Sequence, residues 1–390
     1  MTDLERILAL WRTLEIAGTE FVLATVTEVE GPGYRKPGAM MLISADGRRA
    51  GAISGGCLEA EVAKRAFWLT AERPCVERYS TADDDGDRPF GSGCGGAVLL
   101  LLERKATATH LLHALDSAYE HRVPLAVATV VSGPAMAARA IAGMDGADLP
   151  ADRAAEAATR LNGVDLKAMA DAALASGIPR KPHAPAAGAE PAVWVDYRPS
   201  RPGIWIYGAG DDARPLVKLA KELGWFVGLA DGRSHLATRE RFPVADEVSV
   251  LSIRGLPPAD ENRDGAEPDA AGLGAFHNGD AAIVMTHSFE QDSRILAALL
   301  SRPEALGYIG VLGPQRRTRE LLIEAAVLQG MEGDGANEQA ARWLEGLHAP
   351  TGLDLGAESP ETIALSILAE IQKTLTAATA RPLREVRAAR

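Results

Sequence analysis

Cysteine is scarce in this chain. Only Cys57, Cys75 and Cys94 occur among 390 residues. So low and odd a count argues against a disulfide framework and for a reducing cytosol. The spacings also exclude a closed structural zinc site, which takes four ligands in close pairs. No apolar run reaches the length that spans a bilayer. Basic residues are in deficit. The 41 Lys and Arg stand against 53 Asp and Glu, for a formal net charge of −12, which speaks against broad nucleic-acid binding. Internal repeats are lacking as well. Met1 to Arg6 reads as the start of an amphipathic helix rather than a signal peptide. A cytoplasmic protein with neither nucleic-acid nor membrane partners is expected.

What is present is ordinary for a globular protein. Apolar residues make up 47% and charged residues 24%, and the length allows two or three domains. Leu4, Ile7, Leu8 and Trp11 place one stripe on a helix over 4–18. Strands are predicted at 21–29, 39–43, 50–53, 75–81 and 97–102, with a helix over 58–69. Further on, a helix over 110–121 and a strand over 125–131 are expected. Residues 133–192 are rich in Ala, Pro and Gly, and Lys181 to Pro185 reads as a linker. From Gly203 the pattern alternates strand and helix, which implies a doubly wound parallel sheet. The expected fold is α/β: an N-terminal mixed domain over 1–200, a Rossmann-like domain over 201–378, and a frayed Arg-rich tail over 379–390.

Two cysteines sit in glycine loops: Ser54-Gly55-Gly56-Cys57-Leu58-Glu59 and Gly93-Cys94-Gly95-Gly96. Glycine allows close approach of a large ligand, and a thiolate is a soft ligand or a nucleophile. Cys75, in a plain strand pattern, reads as structural. Arg35 is a candidate anion contact, and Glu59 reads as a charge in the first turn of a helix. His110 and His113 share a helix face without completing a metal site, and Asp83 to Asp87 reads as a solvated turn. In the second half, Gly208-x-Gly210-x-x-Ala213 follows a strand, opens a helix and precedes a strand ending in Asp231. That is the setting of a dinucleotide fingerprint, with Asp231 as acceptor for a ribose hydroxyl. Asp211 and Asp212 suit the helix dipole but would repel a diphosphate. His287 follows a strand, where such sheets place ligands. Ligand sites favour domain interfaces, so a cofactor is expected between the two halves.

Ten segments, in order, carry a resemblance. They are Gly31 to Ala39 (GPGYRKPGA), Ser54 to Glu59 (SGGCLE), Gly93 to Gly96 (GCGG), Ile206 to Gly210 (IYGAG) and Asp231-Gly232-Arg233. Arg241-Phe242-Pro243, Thr286-His287, Gly310 to Gly313 (GVLG), Gly352 to Gly356 (GLDLG) and Pro360 to Glu370 (PETIALSILAE) complete the set. Together the chain resembles the XdhC/CoxI family of accessory proteins for molybdenum hydroxylases. The resemblance implies a chaperone, not a turnover enzyme. It would bind molybdenum cofactor, protect it during sulfuration and deliver it to an apo-enzyme such as xanthine dehydrogenase. It implies Cys57 and Cys94 as contacts near the molybdenum, with Ser54, Gly55, Gly56 and Gly95 around them. Arg35 would meet the pterin phosphate, and Gly208, Gly210, Asp231 and His287 a phosphate or nucleotide portion. The molybdopterin and cytosine dinucleotide forms both stay open. A cysteine desulfurase or cofactor-biosynthesis protein is an implied partner, and a homodimer an implied assembly. Two other readings stand beside it. One is an NAD(P)-dependent oxidoreductase, weakened by the lack of a Tyr/Lys or His/Asp catalytic signature. The other is a sulfurtransferase using Cys57 or Cys94.

Overall fold

The structure, a computed structural model, describes residues 1–31, 35–56, 58–80, 96–143, 160–161, 164–183, 191–252, 273–301 and 306–387. They form two compact units, Met1–Arg201 and Pro202–Arg390.

The first unit opens with α1 (Asp3–Ile16), β1 (Phe21–Glu30), β2 (Met40–Ser44), β3 (Arg49–Gly51) and α2 (Glu59–Leu69). It continues with β4 (Cys75–Ser80), β5 (Ala97–Arg104), α3 (Lys105–Glu120), β6 (Leu125–Val130) and β7 (Arg139–Ala142). Then come β8 (Arg160–Leu161), β9 (Val164–Asp165), α4 (Leu166–Ser176), β10 (Arg180–His183) and β11 (Val193–Arg198). A capping box between Thr2 and Glu5 starts α1, which buries Ile7, Leu8, Trp11 and Leu14. Five antiparallel strands run in the order β3-β2-β1-β5-β4. Both faces of this sheet are covered, so β1 is apolar almost throughout rather than alternating. Phe21 and Leu23 enter a core with α1 and α3. Val22, Ala24 and Val26 enter another with Val62 and Ala66 of α2. A second antiparallel sheet, β10-β11-β6-β7, carries α4 on its own core. Lys181 to His183, read from sequence as linker, lie in its edge strand, where proline is tolerated. One buried ion pair, Glu103 of β5 with Arg139 of β7, links the two sheets at 2.6 Å.

The second unit comprises β12 (Gly203–Tyr207), α5 (Ala213–Glu222), β13 (Phe226–Asp231), β14 (Glu247–Val250) and β15 (Asp280–Val284). It goes on through α6 (Phe289–Leu300), β16 (Leu306–Val311), α7 (Gln315–Leu328), α8 (Gly333–Gly346), α9 (Pro360–Leu375) and α10 (Leu383–Arg387). The Arg-rich tail, expected to fray, thus holds a short helix. The strands are all parallel, in the order β14-β13-β12-β15-β16. This is the expected doubly wound sheet. Ile204 and Ile206 face one core, Trp205 and Tyr207 the other, so β12 is buried on both sides. Strand order reverses beside β12. The carboxyl ends of β12 and β15 therefore form a topological switch point, where such folds bind ligands.

Candidate functional site

In the first unit, the turn from β3 into α2 is tied by one carboxylate. Glu59 Oε1 accepts from the N–H groups of Ile53 (3.1 Å) and Ser54 (2.8 Å). Its Oε2 accepts from the Ser54 hydroxyl at 2.6 Å. The same hydroxyl oxygen accepts from Gly56 N–H (3.1 Å) and Leu58 N–H (3.2 Å). Burial works against the Glu59 charge. The Ser54 hydroxyl and the N–H groups of Ser54, Glu59 and Ile53 outweigh it, holding the carboxyl below its ordinary range. Arg35 reaches this loop: its Nε donates to the Ser54 carbonyl at 3.5 Å, while its Nη2 pairs with Asp3 at 2.9 Å. The structure therefore brings Arg35, Ser54 and Gly56 together. Gly55 shares the loop, and Cys57, Cys94, Gly95 and the Asp83 to Asp87 turn lie outside the described residues. Cys75 lies in β4, where burial, with Glu77 beside it, pushes the thiol up. His113 packs edge-on against Trp11 at 4.7 Å.

In the second unit, the glycine turn crosses the switch point. Gly208 has φ +132°, and a Cβ there would lie 2.5 Å from the Met285 carbonyl oxygen. The turn passes too close to the end of β15 for any side chain. Gly208→Ala is expected to cost about 1–3 kcal/mol, read by urea denaturation; an unchanged midpoint would contradict the packing. Asp231, at the end of β13, is fully buried. Its Oδ2 accepts from Ala209 N–H (2.7 Å) and Arg233 Nη2 (2.7 Å). Its Oδ1 accepts from Arg233 N–H (2.8 Å) and Nε (2.9 Å). Both oxygens thus hold the protein's own turn. Burial pushes this carboxyl up, but the Arg233 guanidinium and the two N–H groups win, and the net shift is downward.

The acids after the turn are also engaged. Asp211 pairs with Arg241 at 2.7 Å, and Asp212 Oδ2 meets His287 Nε2 at 2.8 Å. Asp212 occupies the N-cap position of α5, yet its side chain makes no capping bond because it turns to His287. His287 has φ +64°, an uncommon region for a residue with a side chain. Among the described residues, the N–H groups of Gly210, Asp211 and Asp212 meet no acceptor. Three successive free donors at a helix start suit an anion. Behind them, buried Asp292 accepts from the Thr286 hydroxyl (2.6 Å) and pairs with Arg317 (2.6 Å). Sequence reasoning passed over Glu59, Arg233 and Arg241 as site residues. The available signal was position: Glu59 lies five residues after Ser54, and Arg233 two after Asp231.

Two family models match this chain. One, described as the XdhC Rossmann domain, matches residues 204–371; the other, the XdhC and CoxI family, matches residues 15–80. Together they span more than half of the chain. The chain belongs to the XdhC and CoxI family. The Rossmann match takes in the glycine turn, Asp231 and His287, and the other takes in Arg35 and Ser54 to Glu59. Among relatives of this family member is a protein of Bacillus subtilis (strain 168) named as a probable xanthine dehydrogenase subunit. It is 28% identical over 360 residues, covering 91% of this chain and 93% of the relative. The protein named molybdenum cofactor insertion chaperone PaoD, of Escherichia coli K12, is 34% identical over 111 residues. That match covers 28% of this chain and 34% of PaoD. A crystal structure described as a xanthine dehydrogenase from Bacillus halodurans has a TM-score of 0.63 and 27% identity, covering 97% of each chain. No helix among the described residues is long and apolar enough to cross a membrane.

Proposed function

We propose that this XdhC and CoxI family member binds molybdenum cofactor and serves the maturation of a molybdenum hydroxylase such as xanthine dehydrogenase. It shields the cofactor during sulfuration, in contact with a cysteine desulfurase, and passes it to the apo-enzyme. One observation carries the reading. In a chain similar to a cofactor insertion chaperone, the Rossmann turn offers three N–H donors that meet no acceptor among the described residues, while the acid that would read a nucleotide ribose is occupied. A phosphate would meet those donors with the Asp211 and Asp212 charges paired to Arg241 and His287; the ribose of a nicotinamide dinucleotide finds no acceptor at Asp231. Gly208 and Gly210 would serve by shaping the turn that presents these donors, Gly208 against the Met285 carbonyl and Gly210 beside the Asp212 carboxylate; His287 can add a donor, and Asp231 acts only by positioning the turn. Cys57 and Cys94 would stand nearest the molybdenum, with Arg35, Ser54, Gly55, Gly56 and Gly95 around them. When bound, the cofactor supplies the metal and its sulfur chemistry; this chain supplies donors, a cation and thiols.

The test is anaerobic binding of purified molybdenum cofactor, followed as co-eluting molybdenum and as pterin fluorescence after oxidation. Wild type is expected to bind stoichiometrically, and Cys57→Ala or Cys94→Ala to weaken binding roughly tenfold or more, as loss of a metal-site group does. A wild type that binds no cofactor sinks the reading. A spectral change with NAD(P)H, or a persulfide that turns over on Cys57 or Cys94, would then favour the oxidoreductase or the sulfurtransferase.

A further inference from the structure

We infer that Glu59 is a positioning residue for the Ser54-Gly55-Gly56-Cys57 loop, and through it for the cofactor; the inference rests on the function proposed above. A first-turn glutamate is usually a solvated charge that favours the helix dipole. This one turns back and accepts three hydrogen bonds at 2.6–3.1 Å from Ile53 and Ser54. Ser54 passes the restraint on, because its hydroxyl oxygen accepts from Gly56 and Leu58 N–H. One carboxylate thereby restrains the backbone on both sides of position 57. Its base is firm: α2 is anchored by buried Val62 and Ala66.

The need for such a tie follows from the loop's composition. Two successive glycines lose more conformational freedom on ordering than any other pair. Gly56 has φ +113°, and a Cβ built there would meet nothing within 4 Å among the described residues. The backbone conformation itself favours glycine at this position. Arg35 stands on the rim, bonded to the Ser54 carbonyl. An untied Gly-Gly segment would sample many backbone geometries. Glu59 selects one, as supporting groups do for metal and cofactor ligands.

Thiol reactivity separates positioning from mere stability. In a full-length Cys75→Ala/Cys94→Ala background, Cys57 is the only thiol. Its iodoacetamide alkylation rate would be followed from about pH 6 to 9, where thiolate formation controls reactivity. Glu59→Ala is expected to change the rate several-fold in the folded protein. With the native cysteines restored, it should weaken cofactor binding roughly tenfold or more. Glu59→Gln keeps an oxygen for the Ile53 and Ser54 N–H groups and should recover most of both effects. A Glu59→Ala profile that superimposes on its parent, or Gln behaving like Ala, overturns the inference. If Glu59→Ala does not fold, Ser54→Ala takes its place and must move the profile the same way. If the parent binds no cofactor, the proposed function falls while the alkylation comparison still decides the role of Glu59.

Discussion

Arg139→Met is expected to cost about 3–5 kcal/mol of folding stability, because it strands a buried carboxylate. Glu103 is 0% exposed and Arg139 5%. They share one hydrogen bond, Arg139 Nη2 to Glu103 Oε2 at 2.6 Å. Among the described residues, Glu103 Oε1 and Arg139 Nε and Nη1 have no hydrogen-bond partner. A pair this poorly satisfied gains little against the desolvation of both charges, whereas a single unpaired charge gains nothing. The double variant Glu103→Leu/Arg139→Met should therefore return to within about 1 kcal/mol of the parent, or exceed it. Urea denaturation of parent, both single variants and the double variant at neutral pH reads the non-additivity. A double variant worse than either single one would show that the pair stabilises the junction of the two sheets.

Legibility from sequence tracked the range of the interactions. The run from Gly203 to Asp231 is local, and strand, glycine turn, helix and strand stand where the pattern places them. In the first unit single strands were visible, but their pairing was not: β1 sits between β2 and β5, the latter some seventy residues away in the chain. In the four-stranded sheet the central strands β6 and β11 were visible, but Ala, Pro and Gly hid the short outer ones, and β10 with its proline reads as linker. Polar pairing was least visible. His287 meets Asp212 across 75 positions, and Arg139 meets Glu103 across 36. Spacing after a glycine turn marks an acid such as Asp231 but not the direction of its oxygens. Arg233, two residues on, takes them, and this depends on how the chain turns after β13.

That turn yields the last expected result. Asp231→Ala should cost about 3 kcal/mol at neutral pH, since it removes a charged acceptor from buried and half-buried donors. Ala209 and Arg233 N–H lose their partner, and the glycine turn loses its side-chain tether to β13, keeping only the Gly208 N–H bond to the Ala230 carbonyl. The pH dependence has a definite sign. The folded carboxyl is held below its ordinary value, so its contribution is complete above the unfolded value of about 3.9 and is lost as pH falls through the lower folded value. The stability gap between wild type and Asp231→Ala should therefore be level from about pH 7 to 5 and narrow below about pH 4. Urea midpoints across that range measure it. A gap that widens on acidification would mean that the carboxyl is raised rather than lowered, and that burial outweighs Arg233. The functional consequence lies in the same bonds. With Asp231 gone, the donors of Gly210, Asp211 and Asp212 would still exist, but the turn that presents them would lose the bond at Ala209 and the restraint from Arg233. Loss of phosphate-dependent cofactor binding should then exceed the loss seen for Gly208→Ala, which strains the turn but leaves its tether.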